Sequence, residues 1–216
     1  MNIIIRYLLI SVVFANAADG DISFQYSLLG HLKPQNELIT VLQDSSTVHS
    51  GDEVRINAGY EKETHFYVIY KGSEGEFMLL YPGGSELVDN EADLPGTIYT
   101  TVLHWSELSD PIGIETFFFI NSSVVLDNLL SLLQRYDKVN AKGRIKLAKK
   151  IQNEIDNFNP ETKQELASIG SRLDKPVVGG VAFRGDDGEV LKDMSLTHSC
   201  KGNSDIAFKK VILNHQ

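Results

Sequence analysis

The chain has 216 residues, 42 % of them apolar and 23 % charged, with 20 basic and 29 acidic side chains and a single cysteine. That mixture excludes a collagenous, a mostly disordered or a polytopic membrane protein. The formal charge of −9 argues against unaided binding to nucleic acid or to an anionic membrane surface.

Residues 1–17 read as a secretory signal peptide. Arg6 precedes the apolar run Tyr7 to Phe14, and Ala15-Asn16-Ala17 supplies the small-x-small pattern that signal peptidase accepts. The run falls well short of the roughly 20 residues that cross a bilayer as a helix. A cleaved leader is therefore expected, with no transmembrane anchor afterwards and a periplasmic or extracellular destination. Cys200 lies far from the cleavage site and cannot carry a lipoprotein anchor. A lone cysteine forms no internal disulfide, so Cys200 reads as a small buried apolar residue. A bridge-free exported chain suits a bacterial periplasm and must rely on its apolar core.

The β-rich region spans 18–123. Ile22 to Leu28 alternates apolar and polar residues, the period of a half-buried strand. Leu38 to Leu42 and Val48 to Ala58 are further candidates. Thr64 to Tyr70 and Glu76 to Tyr81 flank Lys71-Gly72-Ser73-Glu74-Gly75 and predict a hairpin. Pro82-Gly83-Gly84 stops the second of these strands. Ile98 to Leu103 and Ile112 to Ile120 complete a set spaced as in a β-sandwich or partly open barrel.

The region 124–173 predicts helices. Ser122 or Ser123 would cap the first, whose broad apolar face runs from Val124 to Leu133. Asn140 would cap a second, with Ile145, Ala148, Ile151, Ile155 and Phe158 as its buried stripe. Asn159-Pro160-Glu161 would start a short third helix ending near Gly170. In 174–216 strands return to the same core: Val177 to Phe183, an Asp187-Gly188 hairpin into Glu189-Val190-Leu191, and Ile206 to Leu213. The fold class is α+β, a sandwich-like antiparallel core with a helical insertion packed on one side.

Catalytic signatures are missing. The chain holds no G-x-S-x-G, no G-x-x-x-x-G-K-[ST], no G-x-G-x-x-G, no H-E-x-x-H and no C-x-x-C. Nothing calls for a cofactor or a metal. His198 and His215 could approach one another but would lack a third ligand. Asp89 to Asp93 alternates oxygens as calcium loops do, yet Leu94 stands where an EF-hand needs glycine. Arg184-Gly185-Asp186 reads as turn residues. Asn121-Ser122-Ser123 is a formal glycosylation sequon, relevant only in a eukaryotic host. Between Asp137 and Lys150, six cations face one acid: Lys138, Lys142, Arg144, Lys146, Lys149 and Lys150. They are either the solvated side of a packed helix or a docking surface for an acidic partner or phospholipid head groups.

Val48-His49-Ser50-Gly51-Asp52-Glu53-Val54-Arg55-Ile56, then Phe66 to Tyr70, then Gly75 to Pro82, resembles the bacterial exported "domain of unknown function" family 4384. Asn90, Gly96 and the late Pro111-Ile112-Gly113-Ile114-Glu115 fit the same ordered pattern, so that the match runs over about 48–123. The resemblance implies a β-sandwich-like module of cell-envelope and surface proteins and carries no particular activity with it. The expectation is a non-catalytic envelope module that binds another protein or a glycan, with Lys142, Arg144, Lys146, Lys149 and Lys150 as candidate contacts. A hydrolase using His104, Asp110 or His198 beside a carboxylate is the alternative. A structural subunit of a secretion or surface assembly is the third reading.

Overall fold

A computed structural model describes residues 21–33, 39–82, 92–94, 96–159, 198–203 and 205–216. The leader, the third helix, the strand at Val177 to Phe183, the Asp187-Gly188 hairpin and Arg184-Gly185-Asp186 lie outside these residues. So do Gly83-Gly84 and residues 89–91 of the acidic loop.

Strands β1 (Ser23–His31), β2 (Ile39–Val41), β4 (Glu53–Glu61), β7 (Ala92–Leu94), β8 (Thr97–Glu107) and β10 (His198–Lys201) form one sheet in the order β10-β1-β4-β8-β7, with β2 also paired to β1. The second sheet runs β3-β11-β9-β5-β6, from β3 (Ser46–Val48), β11 (Ile206–His215), β9 (Gly113–Ser122), β5 (His65–Lys71) and β6 (Phe77–Tyr81). Pairing is antiparallel except where β3 runs parallel to β11. Helices α1 (Asp127–Tyr136) and α2 (Ala141–Phe158) follow β9.

Two cores make three layers. Between the sheets lie Phe24, Tyr26 and Leu28 of β1, Val54, Ile56, Ala58 and Tyr60 of β4, and Phe66, Val68, Phe117, Phe119, Val211 and Leu213 of the second sheet. Tyr26 stacks on Phe119 with ring centroids 4.5 Å apart. On the far side of the second sheet, Tyr67, Ile69, Phe118 and Ile120 meet Leu129, Leu132, Leu133 and Tyr136 of α1 and Leu147, Ile151 and Ile155 of α2. This is why β9 carries the unbroken apolar run Phe117-Phe118-Phe119-Ile120: alternate residues serve different cores, and both faces of the strand are covered.

The hairpin of β5 and β6 forms as its sequence directs, with antiparallel register from Val68 opposite Tyr81 to Lys71 opposite Phe77. Elsewhere local pattern and structure part. The apolar alternation from Val48 to Ala58 is not one strand. The chain crosses between sheets there, through a turn in which the Asp52 N–H donates to the His49 carbonyl at 3.0 Å. Gly51 takes φ +89°, a conformation that a side chain resists. The Asp52 carboxylate is fully buried and accepts the backbone N–H groups of Lys33 and His49, each at 2.7 Å. At Gly113 the backbone approaches a neighbour closely: a Cβ there would lie 2.7 Å from the Ser73 Cβ.

Helix α1 begins at Asp127 rather than after Ser122 or Ser123, because Ser122 is still paired in β9, opposite His65 and Ile206. Asn140 does cap α2, its side-chain oxygen accepting the Gly143 N–H at 3.0 Å. The buried stripe of α2 is Leu147, Ile151 and Ile155. Ile145 is 65 % exposed and does not belong to it. At the C-terminus, Ile206 to Leu213 forms a strand as its sequence suggests, and the fold sets it between β3 and β9, while β10 carries no strand signal in the sequence.

Candidate binding surface and a buried polar chain

Helix α2 turns its charge outward. At about 100° per residue, Lys142, Lys146 and Lys149 follow an i, i+4, i+7 row on the side opposite Leu147, Ile151 and Ile155. Lys150 lies beside the row. Arg144 does not join this row: it lies on the side of Leu147 and Ile151, at the exposed start of that stripe, with its guanidinium 5.7 Å over the Tyr136 ring. Lys138 stands in the connection from α1. All six cations are exposed, and none makes an ion pair with another described residue. Exposed Ile145 sits among them.

This placement opposes the helix that bears it. Backbone N–H groups at a helix start favour anions, and each cation there costs about 0.3–1 kcal/mol. The first turn of α2 has no acid and includes Lys142. Lys142 with Lys146, and Lys146 with Lys150, repeat like charge at i, i+4, a spacing that destabilises by about 0.2–0.5 kcal/mol per pair. Folding explains the inner face of α2 and not the outer one.

A second constellation is internal. The Tyr70 hydroxyl donates to Glu115 Oε2. Glu115 Oε1 lies 3.3 Å from His215 Nδ1, and His215 Nε2 lies 3.0 Å from Ser50 Oγ. Ser50 Oγ donates to Asp110 Oδ1 at 2.7 Å. Glu115 and His215 are 2 % and 3 % exposed. Burial and the bond to Glu115 push the Tyr70 hydroxyl pKa far up, so it stays a donor. Glu115 and Asp110 are conspicuous in sequence. Ser50 and His215 are not, because 165 residues separate them.

The order serine, histidine, carboxylate is that of an acyl-transfer relay. The rest of such a site is missing among the described residues. The Ser50 proton is directed at Asp110, whose carboxylate would repel a developing oxyanion. The Gly51 N–H is bonded to the Leu108 carbonyl at 2.7 Å and the Asp52 N–H to His49. The described hollows lie elsewhere, one of about 170 Å³ beside Tyr60, Tyr67 and Pro82 and one of about 90 Å³ beside Ser23, Gly59 and Tyr99. The chain of bonds instead ties β5, β9, β11, the β3–β4 turn and the β8–β9 connection together.

Other candidates separate or close. His198 stacks on Tyr26 with centroids 5.0 Å apart in the first sheet, and burial lowers its pKa. His215 belongs to the second sheet and to Glu115. No cluster of three or more metal-ligating side chains occurs among the described residues. His104 is exposed on β8. Asn121 is fully buried, and its amide donates to the Ser23 carbonyl at 2.9 Å, so the sequon is closed in the folded chain. Cys200 is half-buried against the sandwich core, and its thiol donates to the Phe208 carbonyl at 3.3 Å. No described helix is long and apolar enough to cross a membrane. No family model, no curated protein and no solved structure matches the chain.

Proposed function

We infer that this chain is an exported, non-catalytic module of the cell envelope that binds another protein or a glycan, and that the outer face of α2 is its contact surface. The leader-like residues 1–17 and the motif resemblance over 48–123 support the address and the kind of module. One observation carries the surface: Lys142, Lys146, Lys149 and Lys150 share the solvent side of α2, are exposed, have no ion-pair partner among the described residues and repeat like charge at helical spacing, while Arg144 lies round the helix from them. The test compares the purified chain with a Lys142→Gln, Lys146→Gln, Lys149→Gln variant, each immobilised and exposed to envelope extract. A component retained by the natural chain and lost by the variant is expected. Identical retention by both would remove α2 as the contact.

A further inference from the structure

The partner's chemistry can be narrowed, on the premise that the outer face of α2 is the contact. The cations of this face, Lys142, Lys146, Lys149 and Lys150, are all lysines. Contacts between proteins favour arginine, tyrosine and tryptophan and are depleted in lysine, whose ammonium is strongly hydrated and held on a flexible stem. The face offers no exposed aromatic anchor, since the one aromatic of α2, Phe158, is its last residue and packs against the inner core. Neither described hollow includes an α2 residue, and the lysines stand along one exposed side of the helix as a ridge. A ridge of point charges suits a ligand whose own charges repeat along a line.

A thin ligand also fits better than a plane. The helical layer exposes Asp127 at the start of α1, Asp137 at its end and Asp156 near the end of α2. A flat anionic surface broad enough to cover this layer would also face those carboxylates, and the whole chain, these cations included, carries a net −9. A single extended polymer following Lys142, Lys146 and Lys149, about 10 Å along the axis, touches cations throughout. Asp156 stands seven residues beyond Lys149 on the same row, about 10 Å further along the axis, where it is largely screened at physiological salt.

We propose that the outer face of α2 holds a linear acidic polysaccharide, its charged groups paired with Lys142, Lys146 and Lys149 and flanked by Lys150. Binding is electrostatic and tolerant of sugar identity. Each ammonium that neutralises a polymer charge releases a counterion, so affinity falls steeply as salt rises.

The experiment measures fluorescence anisotropy of labelled polygalacturonate titrated with the full chain over a salt series, with labelled neutral dextran as control. Cosedimentation with phosphatidylglycerol vesicles is a parallel arm. The natural chain should bind polygalacturonate and not dextran. The Lys142→Gln, Lys146→Gln, Lys149→Gln variant should bind at least about tenfold more weakly, with the slope of log affinity against log salt reduced by about 2. Glutamine is a good helix former, and an unchanged circular dichroism spectrum verifies the variant's fold. If the natural chain binds the vesicles or an envelope protein but not polygalacturonate, and the variant loses that binding, the polysaccharide is overturned while the surface stands. If chain and variant behave alike on every probe, both fall.

Discussion

The substitution Asp52→Ala tests how the crossing between the two sheets is held. Asp52 is fully buried, and its two carboxylate oxygens accept the Lys33 and His49 backbone N–H groups at 2.7 Å each. The Asp52 main chain adds a bond to His49 and accepts the Leu108 N–H at 2.7 Å, and alanine keeps both. The substitution thus removes two hydrogen bonds to an ionised acceptor, each contributing about 1.5–3 kcal/mol, and leaves two N–H groups without partners, for a loss of about 3–5 kcal/mol. Asp52→Asn keeps the shape and one acceptor oxygen but turns an amide N–H₂ toward the other N–H, so about half that loss is expected. With a urea m-value of about 2–3 kcal/mol/M, the midpoint of Asp52→Ala should fall by about 1–2 M at unchanged m. Urea unfolding followed by the near-ultraviolet signal of the packed aromatic core measures it. A midpoint no lower than that of Glu63→Ala, an exposed acid, would show that the turn is not held by this carboxylate.

Three further outcomes follow from the geometry. Ile145→Ala should change stability by no more than about 0.5 kcal/mol, whereas Leu147→Ala, buried at 6 % exposure, should cost about 2–5 kcal/mol; chemical denaturation of both variants distinguishes the structural stripe of α2 from the one its sequence suggests. Ser50 should not be labelled by a fluorophosphonate probe, because its hydroxyl donates to Asp110 and its turn offers little to bind an oxyanion; labelling of Ser50 that disappears in His215→Ala, read by peptide mass spectrometry, would establish the relay as reactive. The Cys200 thiol, its pKa raised by burial despite lesser opposing effects of Lys209 and the bond to Phe208, should react with iodoacetamide at pH 8 much more slowly in the native chain than in urea; equal rates would place it in solvent.

The parts of the fold legible in sequence were those whose cause is local. The β5–β6 hairpin is written in two apolar runs and an intervening loop with Gly72 and Gly75, and the α2 start in Asn140, because a turn or a cap needs only its immediate neighbours. The two-faced burial of β9 was hidden, since a run of apolar residues does not say which partner covers which face. The break between β3 and β4 was hidden for the opposite reason: alternation continues across His49 to Asp52 although the chain changes sheets there. Ile145 and Leu147 exchanged roles because several stripes fit a helix rich in both lysine and aliphatic residues, and only the position of the second sheet decides between them. Of the two polar constellations, the lysine row was visible as composition. The Ser50–His215–Glu115 chain required the tertiary fold to bring the last strand beside the first half of the protein.

The two constellations differ in what each leaves undone. In the internal one, the named protons and lone pairs are directed at other named groups: Tyr70 to Glu115, Glu115 to His215, His215 to Ser50, Ser50 to Asp110. Closed in this way, it lowers the free energy of one arrangement of strands and has little left with which to hold a substrate. In the outer one, nothing in the described protein answers the charge, and the helix is less stable for carrying it. Neutral or acidic side chains on the same solvent face would leave Leu147, Ile151 and Ile155 packed as they are. On our proposal an external anion supplies the partner that the described residues do not, and recognition falls on α2 rather than at Ser50.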